Sequence, residues 1–175
     1  SPVKRYEVPI AALAVMASEE REGVTFTIIG DPGLAEHGSY RDKLRRLARD
    51  RGVEAAVQFL GGIPHAGIVR SYQEADALVH ASETGSVDKV VLEAMACGLP
   101  VVSSSEVFRQ VLAPWERLLT FEKDNAYELA DRLEQLRRMT SDERRELGLA
   151  LREIVVREHN LDSLAEKIIG SFRSS

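Results

Sequence analysis

Residues able to do chemistry crowd the stretch from Ser82 to Glu93, SETGSVDKVVLE. Ser82, Glu83, Thr84, Gly85 and Ser86 make a loop of hydroxyls, one carboxylate and one glycine ahead of a helical pattern. The first N–H groups of a helix lack internal partners, so such a loop suits a phosphate or diphosphate. The same composition also serves to turn the chain and cap the helix. Lys89, one turn into the helix, either snorkels to that anion or pairs with Glu93 at i, i+4. Glu93 lies about two turns beyond Ser86, on the helix's polar stripe or on a side that reaches a cleft. Glu83 and Asp88 are the other carboxylates at hand.

The elements that must position these groups are legible on either side. Ala77–Val79 and Pro100–Val102 are short apolar runs, suited to strands buried on both faces, and predict strands at Ala77–Ala81 and Val101–Ser103. Between them Val87, Val90, Val91, Ala94 and Met95 recur at helical spacing and predict a face packed on a sheet. Gly98 stands where a helix needs a left-handed C-terminal residue, and Pro100 follows where the helix cannot continue. The result is one β-α-β unit with its loop at the carboxyl end of the first strand, where open α/β sheets bind ligands.

The rest of the chain alternates in the same way. Helices are expected at about 6–20, 40–51, 66–74 and 107–112, with strands at 24–29 and 57–60 and an edge strand at 118–121. From Asn125 the pattern turns helical, at 126–139, 142–158 and 161–172, with Asn125, Ser141 and Asn160 or Asp162 as N-caps. Alternating strands and helices predict an α/β fold, a Rossmann-like doubly wound parallel sheet with a helical C-terminal tail. The core is expected over residues 1–122 and the tail over 123–175, as a single domain.

Composition supports a globular chain: 44% hydrophobic and 29% charged residues, with a net charge of −5. That charge argues against nucleic acid as a partner. Arg41, Lys43, Arg45, Arg46, Arg49 and Arg51 crowd one helix, with Leu44, Leu47 and Ala48 facing inward. This basic face is either solvated or a patch for an anionic membrane surface. No apolar run approaches the ~20 residues that span a bilayer. The lone Cys97 reads as a small core thiol, compatible with a reducing cytoplasm. His37, His80 and His159 do not form metal-ligand spacing, His65 reads as a capping or surface residue, and no Asp-x-Asp triplet is present. No metal site is expected.

The wording of the whole unit, LEAMACGLPVV after a loop at a strand end, resembles the donor-binding signature of retaining GT-B glycosyltransferases of family 4. Val24–Gly33 (VTFTIIGDPG) resembles that family's second strand and turn, and Val57–Val79 its next strand, loop and helix. SPVKRY at the start is similar to the segment after the family's first strand. The resemblance covers about residues 1–122 and implies transfer of a sugar from a nucleotide-diphosphate donor to an acceptor hydroxyl, without a further cofactor. It assigns Glu93 to the donor ribose, whose paired hydroxyls a carboxylate can accept in bidentate fashion. It assigns Lys4 to the diphosphate. The leaving charge would fall to Lys4, Lys89, the amides of Gly85 and Ser86, and the helix dipole, while the amides of Thr84, Gly85 and Ser86 are one way to hold the donor sugar and Glu83 the other. Gly30, Gly62 and Ile63 lie in loops that would hold the nucleotide, or are plain turns.

The chain departs from the family pattern in three ways. The usual E-x7-E spacing fails, because Gly85 stands eight positions before Glu93. Glu83 or Asp88 is the candidate replacement for that first carboxylate. The family's first strand, and the Arg that accompanies its Lys, would precede Ser1; neighbouring Arg5 is the candidate substitute. The acceptor half, which precedes the donor half in GT-B enzymes, has no counterpart here, so the chain is expected to be inactive alone. A cytoplasmic enzyme is the expectation, with membrane-peripheral association as its variant. The alternatives are a non-catalytic Rossmann-like module that holds a nucleotide or a protein, and a GT-B sugar-nucleotide epimerase.

Overall fold

The computed structural model describes residues 2–30, 35–82, 85 and 87–158, without the side chains of 35–38, 65, 66 and 158. The expected loop 31–33, Glu83, Thr84, Ser86, His159, the caps Asn160 and Asp162, the helix 161–172, and the side chains of His37 and His65 lie outside the described residues.

The strands are short and parallel. Strand β1 (Phe26–Ile29) pairs with β2 (Val57–Leu60), and β3 (Leu78–His80) pairs with β4 (Val101–Ser103). Among the described residues the two pairs are not hydrogen-bonded to each other. Each crossover between paired strands carries a helix, as parallel pairing requires. Helix α3 (Ala35–Asp50) joins β1 to β2, and α5 (Lys89–Ala96) joins β3 to β4. Between the pairs lies α4 (His65–Glu74).

The remaining elements are helical. Two helices, α1 (Glu7–Val15) and α2 (Ser18–Arg21), precede β1. Two single turns, α6 (Glu106–Arg109) and α7 (Glu116–Leu119), follow β4, and α8 (Ala126–Arg138) and α9 (Ser141–Glu158) form the tail. Helix α1 packs on α3 and α8, while α5 packs on β3, β4 and α9. Ile10, Leu13, Leu44, Val91, Met95, Val101, Phe108, Leu112, Phe121, Leu129 and Leu151 are fully or almost fully buried in one continuous core. Each such side chain contributes ~1.5–3 kcal/mol of transfer free energy, so the apolar stripes decide where the helices sit.

Three expectations are corrected. The helix expected over 6–20 breaks at Met16, which turns extended. Arg21 donates to the Leu13 carbonyl (3.1 Å) and Glu20 accepts the Ala17 N–H (3.3 Å), so local bonds satisfy the break. The expected edge strand 118–121 is instead the end of α7, with one bridge from Thr120 to Ser103. Arg109 holds Glu116 and Glu122 at 3.1 Å each and closes that turn. Asn125 caps α8 as expected, accepting the Glu128 N–H at 3.0 Å, whereas α9 is capped by Thr140 rather than Ser141. Thr140 Oγ1 accepts the Glu143 N–H and Glu143 accepts the Thr140 N–H, a reciprocal capping box.

Candidate functional site

Helix α5 begins later than its pattern implies. Lys89 is its first residue, and Asp88 is its N-cap in an extended conformation. Val91, Ala94 and Met95 are buried against the sheet, but Val87 and Val90 are exposed, which corrects their expected inward placement. Lys89 is therefore exposed at the helix start rather than one turn in, and Glu93 stands about one turn along. The apolar stripe of α5 is narrower than the sequence pattern because the chain from Val87 to Asp88 is held out of the helix by polar contacts.

Those contacts form the site's dominant feature. Lys4, ending a 3₁₀ turn (Pro2–Lys4), donates to Asp88 Oδ2 at 2.9 Å. His80, at the end of β3, meets the same oxygen through Nε2 at 2.7 Å. The parallel register sets His80 opposite Ser103, and Nδ1 lies 2.9 Å from Ser103 Oγ. Ser103 Oγ also accepts the Ser105 N–H at 3.1 Å. An ionised carboxylate only accepts, so the Nε2 proton points to Asp88 and Ser103 O–H donates to Nδ1. The His80 and Phe108 rings are nearly perpendicular, at 86°, with centroids 5.6 Å apart.

Charge follows from this arrangement. Burial alone would raise the Asp88 pKa, but hydrogen bonds from His80 and Lys4 and their charges outweigh it and hold the carboxyl well below its ordinary value. For His80, burial is the largest cause and lowers the pKa; Lys4 adds to that, and Asp88 opposes it. The imidazole is thus neutral between a carboxylate and a hydroxyl. Burial, and then the Asp88 charge, raises the Tyr6 pKa nearby.

Glu93 has a partner that its sequence context did not announce. Tyr72 of α4 donates to Glu93 Oε2 at 3.1 Å, and its own pKa is raised by burial and then by that bond. The structure therefore brings Lys4 and Asp88 together at the start of α5, with Glu93 further along the same helix. Arg5 adopts a left-handed backbone (φ 51°) and donates to Asp124 at 2.6 Å, so its guanidinium is engaged there. Gly85 is exposed beside the site, and Gly30, with φ 152°, takes a conformation that favours glycine at the end of β1. Gly62 is exposed and Ile63 half-buried in the loop after β2, where Ile63 Cγ2 packs against Gly67.

Several sequence readings resolve here. Gly98 has φ +75° and terminates α5 as expected. Cys97 is a half-buried free thiol at the same helix end. Of the basic residues on α3, Lys43 pairs with Glu7, Arg45 with Asp42 and Arg49 with Glu54, and Arg45 also covers the Phe59 ring. No group of three or more His, Cys, Asp or Glu able to hold a metal occurs among the described residues. No described helix is long and apolar enough to cross a membrane.

The fold and this helix N-terminus invite comparison with known proteins. A family model described as "Glycosyl transferases group 1" matches residues 1–154. The chain belongs to that family. Among relatives, it is 34% identical over 109 residues to D-inositol 3-phosphate glycosyltransferase 2 of Catenulispora acidiphila, covering 59% of this chain and 25% of that protein. The chain thus spans about a quarter of the length of that relative. Among solved structures, sucrose-phosphate synthase from Thermosynechococcus elongatus superposes with a TM-score of 0.82 at 24% identity, covering 99% of this chain and 43% of that one. Anabaena HepE in complex with UDP and glucose gives 0.81 at 22% identity, covering 100% and 46%. The fold is α/β of the GT-B glycosyltransferase kind.

Proposed function

We propose that this chain is the donor-binding part of a retaining glycosyltransferase that moves a sugar from a nucleotide-diphosphate donor to an acceptor hydroxyl. The observation that carries the reading is Lys4 held at the N-terminus of α5, one helical turn from Glu93. A cation beside unpaired helix N–H groups is suited to a diphosphate, and a carboxylate further along is suited to a ribose diol. Solved neighbours of the same fold carry UDP or UDP-glucose, which supports a nucleotide-sugar donor. In this reading Lys4, Lys89 and the helix dipole stabilise charge on the leaving diphosphate. Thr84, Gly85 and Ser86 supply backbone amides, Gly30, Gly62 and Ile63 border the nucleotide, and no metal takes part. A preceding acceptor domain completes the cleft, and the chain alone does not transfer sugar. Localisation is cytoplasmic, with the basic face of α3 as the membrane-peripheral candidate.

Asp88 favours a second reading, a module that holds a nucleotide without transferring sugar. It stands where the family's motif loop leads into the helix, and it already neutralises Lys4 from within the chain.

Calorimetric titration with UDP-glucose, UDP-N-acetylglucosamine, GDP-mannose and ADP-glucose tests both readings. Selective binding of one nucleotide class, weakened in Glu93→Ala, supports the donor site and names the base. Binding that ignores Glu93 removes the ribose assignment. Transfer by a longer chain that includes the acceptor half separates the enzyme from the binding module.

A further inference from the structure

We propose that His80 is a positioning residue of the donor site and its proton acceptor: it holds Asp88 against Lys4 while the site is empty and takes one proton from solvent when a sugar nucleotide binds. The inference rests on the donor-binding reading above.

The geometry constrains His80 from every side. Its side chain is 3% exposed. Ser103 occupies Nδ1, Asp88 occupies Nε2, and the Phe108 ring stands nearly perpendicular to the imidazole. The imidazole therefore hands the rigidity of the β3–β4 pair to the Asp88 carboxylate. That carboxylate in turn fixes the Lys4 ammonium, which comes from a turn 84 residues away in sequence. The charged groups facing the ring are Asp88, from the segment entering α5, and Lys4 beyond it; β4 offers the Ser103 hydroxyl, α6 the Phe108 ring, and Tyr6 lies within reach of the Asp88 charge.

A count of charge shows why binding needs a proton. Lys4 and Asp88 cancel, and neutral His80 adds nothing. The diphosphate of a sugar nucleotide brings about two negative charges against a cation that Asp88 already satisfies, so like charges crowd the start of α5. Protonating Asp88 would strip the negative charge from the oxygen that both Lys4 and His80 share and weaken both bonds. Protonating His80 keeps both at full strength: Nε2–H still donates to the Asp88 carboxylate, the new Nδ1–H donates to Ser103 Oγ, and the Ser103 hydroxyl turns its proton away. Added negative charge favours imidazolium, so proton and ligand reinforce each other.

Sugar nucleotides are the probes because their doubly esterified diphosphate keeps a constant charge between about pH 6 and 8, so any proton taken up belongs to the protein. Titration of UDP-glucose, GDP-mannose and ADP-glucose in buffers of different ionisation enthalpy counts that proton without any variant. For the sugar nucleotide that binds, the expected result is proton uptake averaging about half a proton between pH 6 and 8 and largest at the acid end, with affinity about tenfold higher near pH 6 than near pH 8. His80→Gln retains a donor toward Asp88 but cannot titrate. It is expected to bind within about threefold of wild type near pH 8 and to lose the pH dependence. His80→Phe, which lacks the donor, is expected to weaken binding at every pH. Binding by wild type that is flat across this range overturns the inference and leaves the donor reading intact. The same holds for a pH dependence that survives in His80→Gln. Binding by none of the three probes overturns both.

Discussion

The two ends of helix α5 are held in opposite ways. At its start Asp88, Lys4, His80 and Ser103 form a chain of polar contacts between 2.7 and 2.9 Å. At its end Gly98 turns the chain against Gly148 of α9, so closely that a Cβ on Gly148 would run into the Gly98 carbonyl oxygen. The first end is built of charges, which an anion bound in the proposed donor site would redistribute. The second is built of steric exclusion, which no ligand relaxes. One helix thus carries a responsive end and a fixed end, and the buried stripe of Val91, Ala94 and Met95 joins them.

The fixed end should be the more costly to disturb. Gly148→Ala is expected to destabilise the fold by about 3 kcal/mol, because two backbones must separate to admit one methyl. Urea denaturation measures this, and a loss below about 1 kcal/mol would mean that the α5–α9 approach is not tight. Glu93 lies between the ends, and its removal should separate binding from folding. Glu93→Ala is expected to weaken sugar-nucleotide binding by roughly 1–3 kcal/mol while the unfolding midpoint barely moves. A large drop in stability with unchanged affinity would instead make Glu93 a structural partner of Tyr72.

At the responsive end, Asp88→Ala leaves Lys4 and His80 without their shared acceptor and should cost roughly 1–2 kcal/mol at neutral pH. A neutral result would show that the contacts position groups without stabilising the fold. Acidity probes the same end with both signs in agreement. Asp88 is held below its ordinary value, so its contribution is present above about pH 4 and is lost as the pH falls further. His80 is also held below its ordinary value of 6.5, so the unfolded chain takes the proton more readily and stability declines from there downward. Thermal melts from neutral to acid pH should show this decline, and Asp88→Asn should remove its more acidic portion. The smallest effect is expected far from both ends: Arg45→Ala loses an exposed ion pair and a contact over Phe59, worth under about 0.5–1 kcal/mol.

The same contrast separates what the local sequence carries from what it does not. Gly98, Asn125 and the strand–helix alternation were legible because each acts through neighbours within one turn or one strand. The start of α5 was misjudged by about one turn, since helical spacing continues through Val87 and only contact with His80 and Lys4 draws Asp88 out of the helix. Glu93 stands out through its motif, but Tyr72, its hydrogen-bond partner, gives no local signal from α4. His80 looks like a scattered histidine in the sequence because its partners come from β4 and the α5 approach. Gly148, in a helix pattern, carries no mark of the glycine it faces.

The amino-acid sequence alone determined the α/β class, the β-α-β unit and the motif that places Glu93, because periodicity and turn residues act over a few positions. Only the tertiary structure decided that Lys4 meets Asp88, that His80 stands opposite Ser103, and that Gly148 admits α5. Those contacts join residues 84, 23 and 50 positions apart, using the sequence positions Lys4–Asp88, His80–Ser103 and Gly98–Gly148. Such separations are set by strand register and helix packing, which only the folded chain brings about.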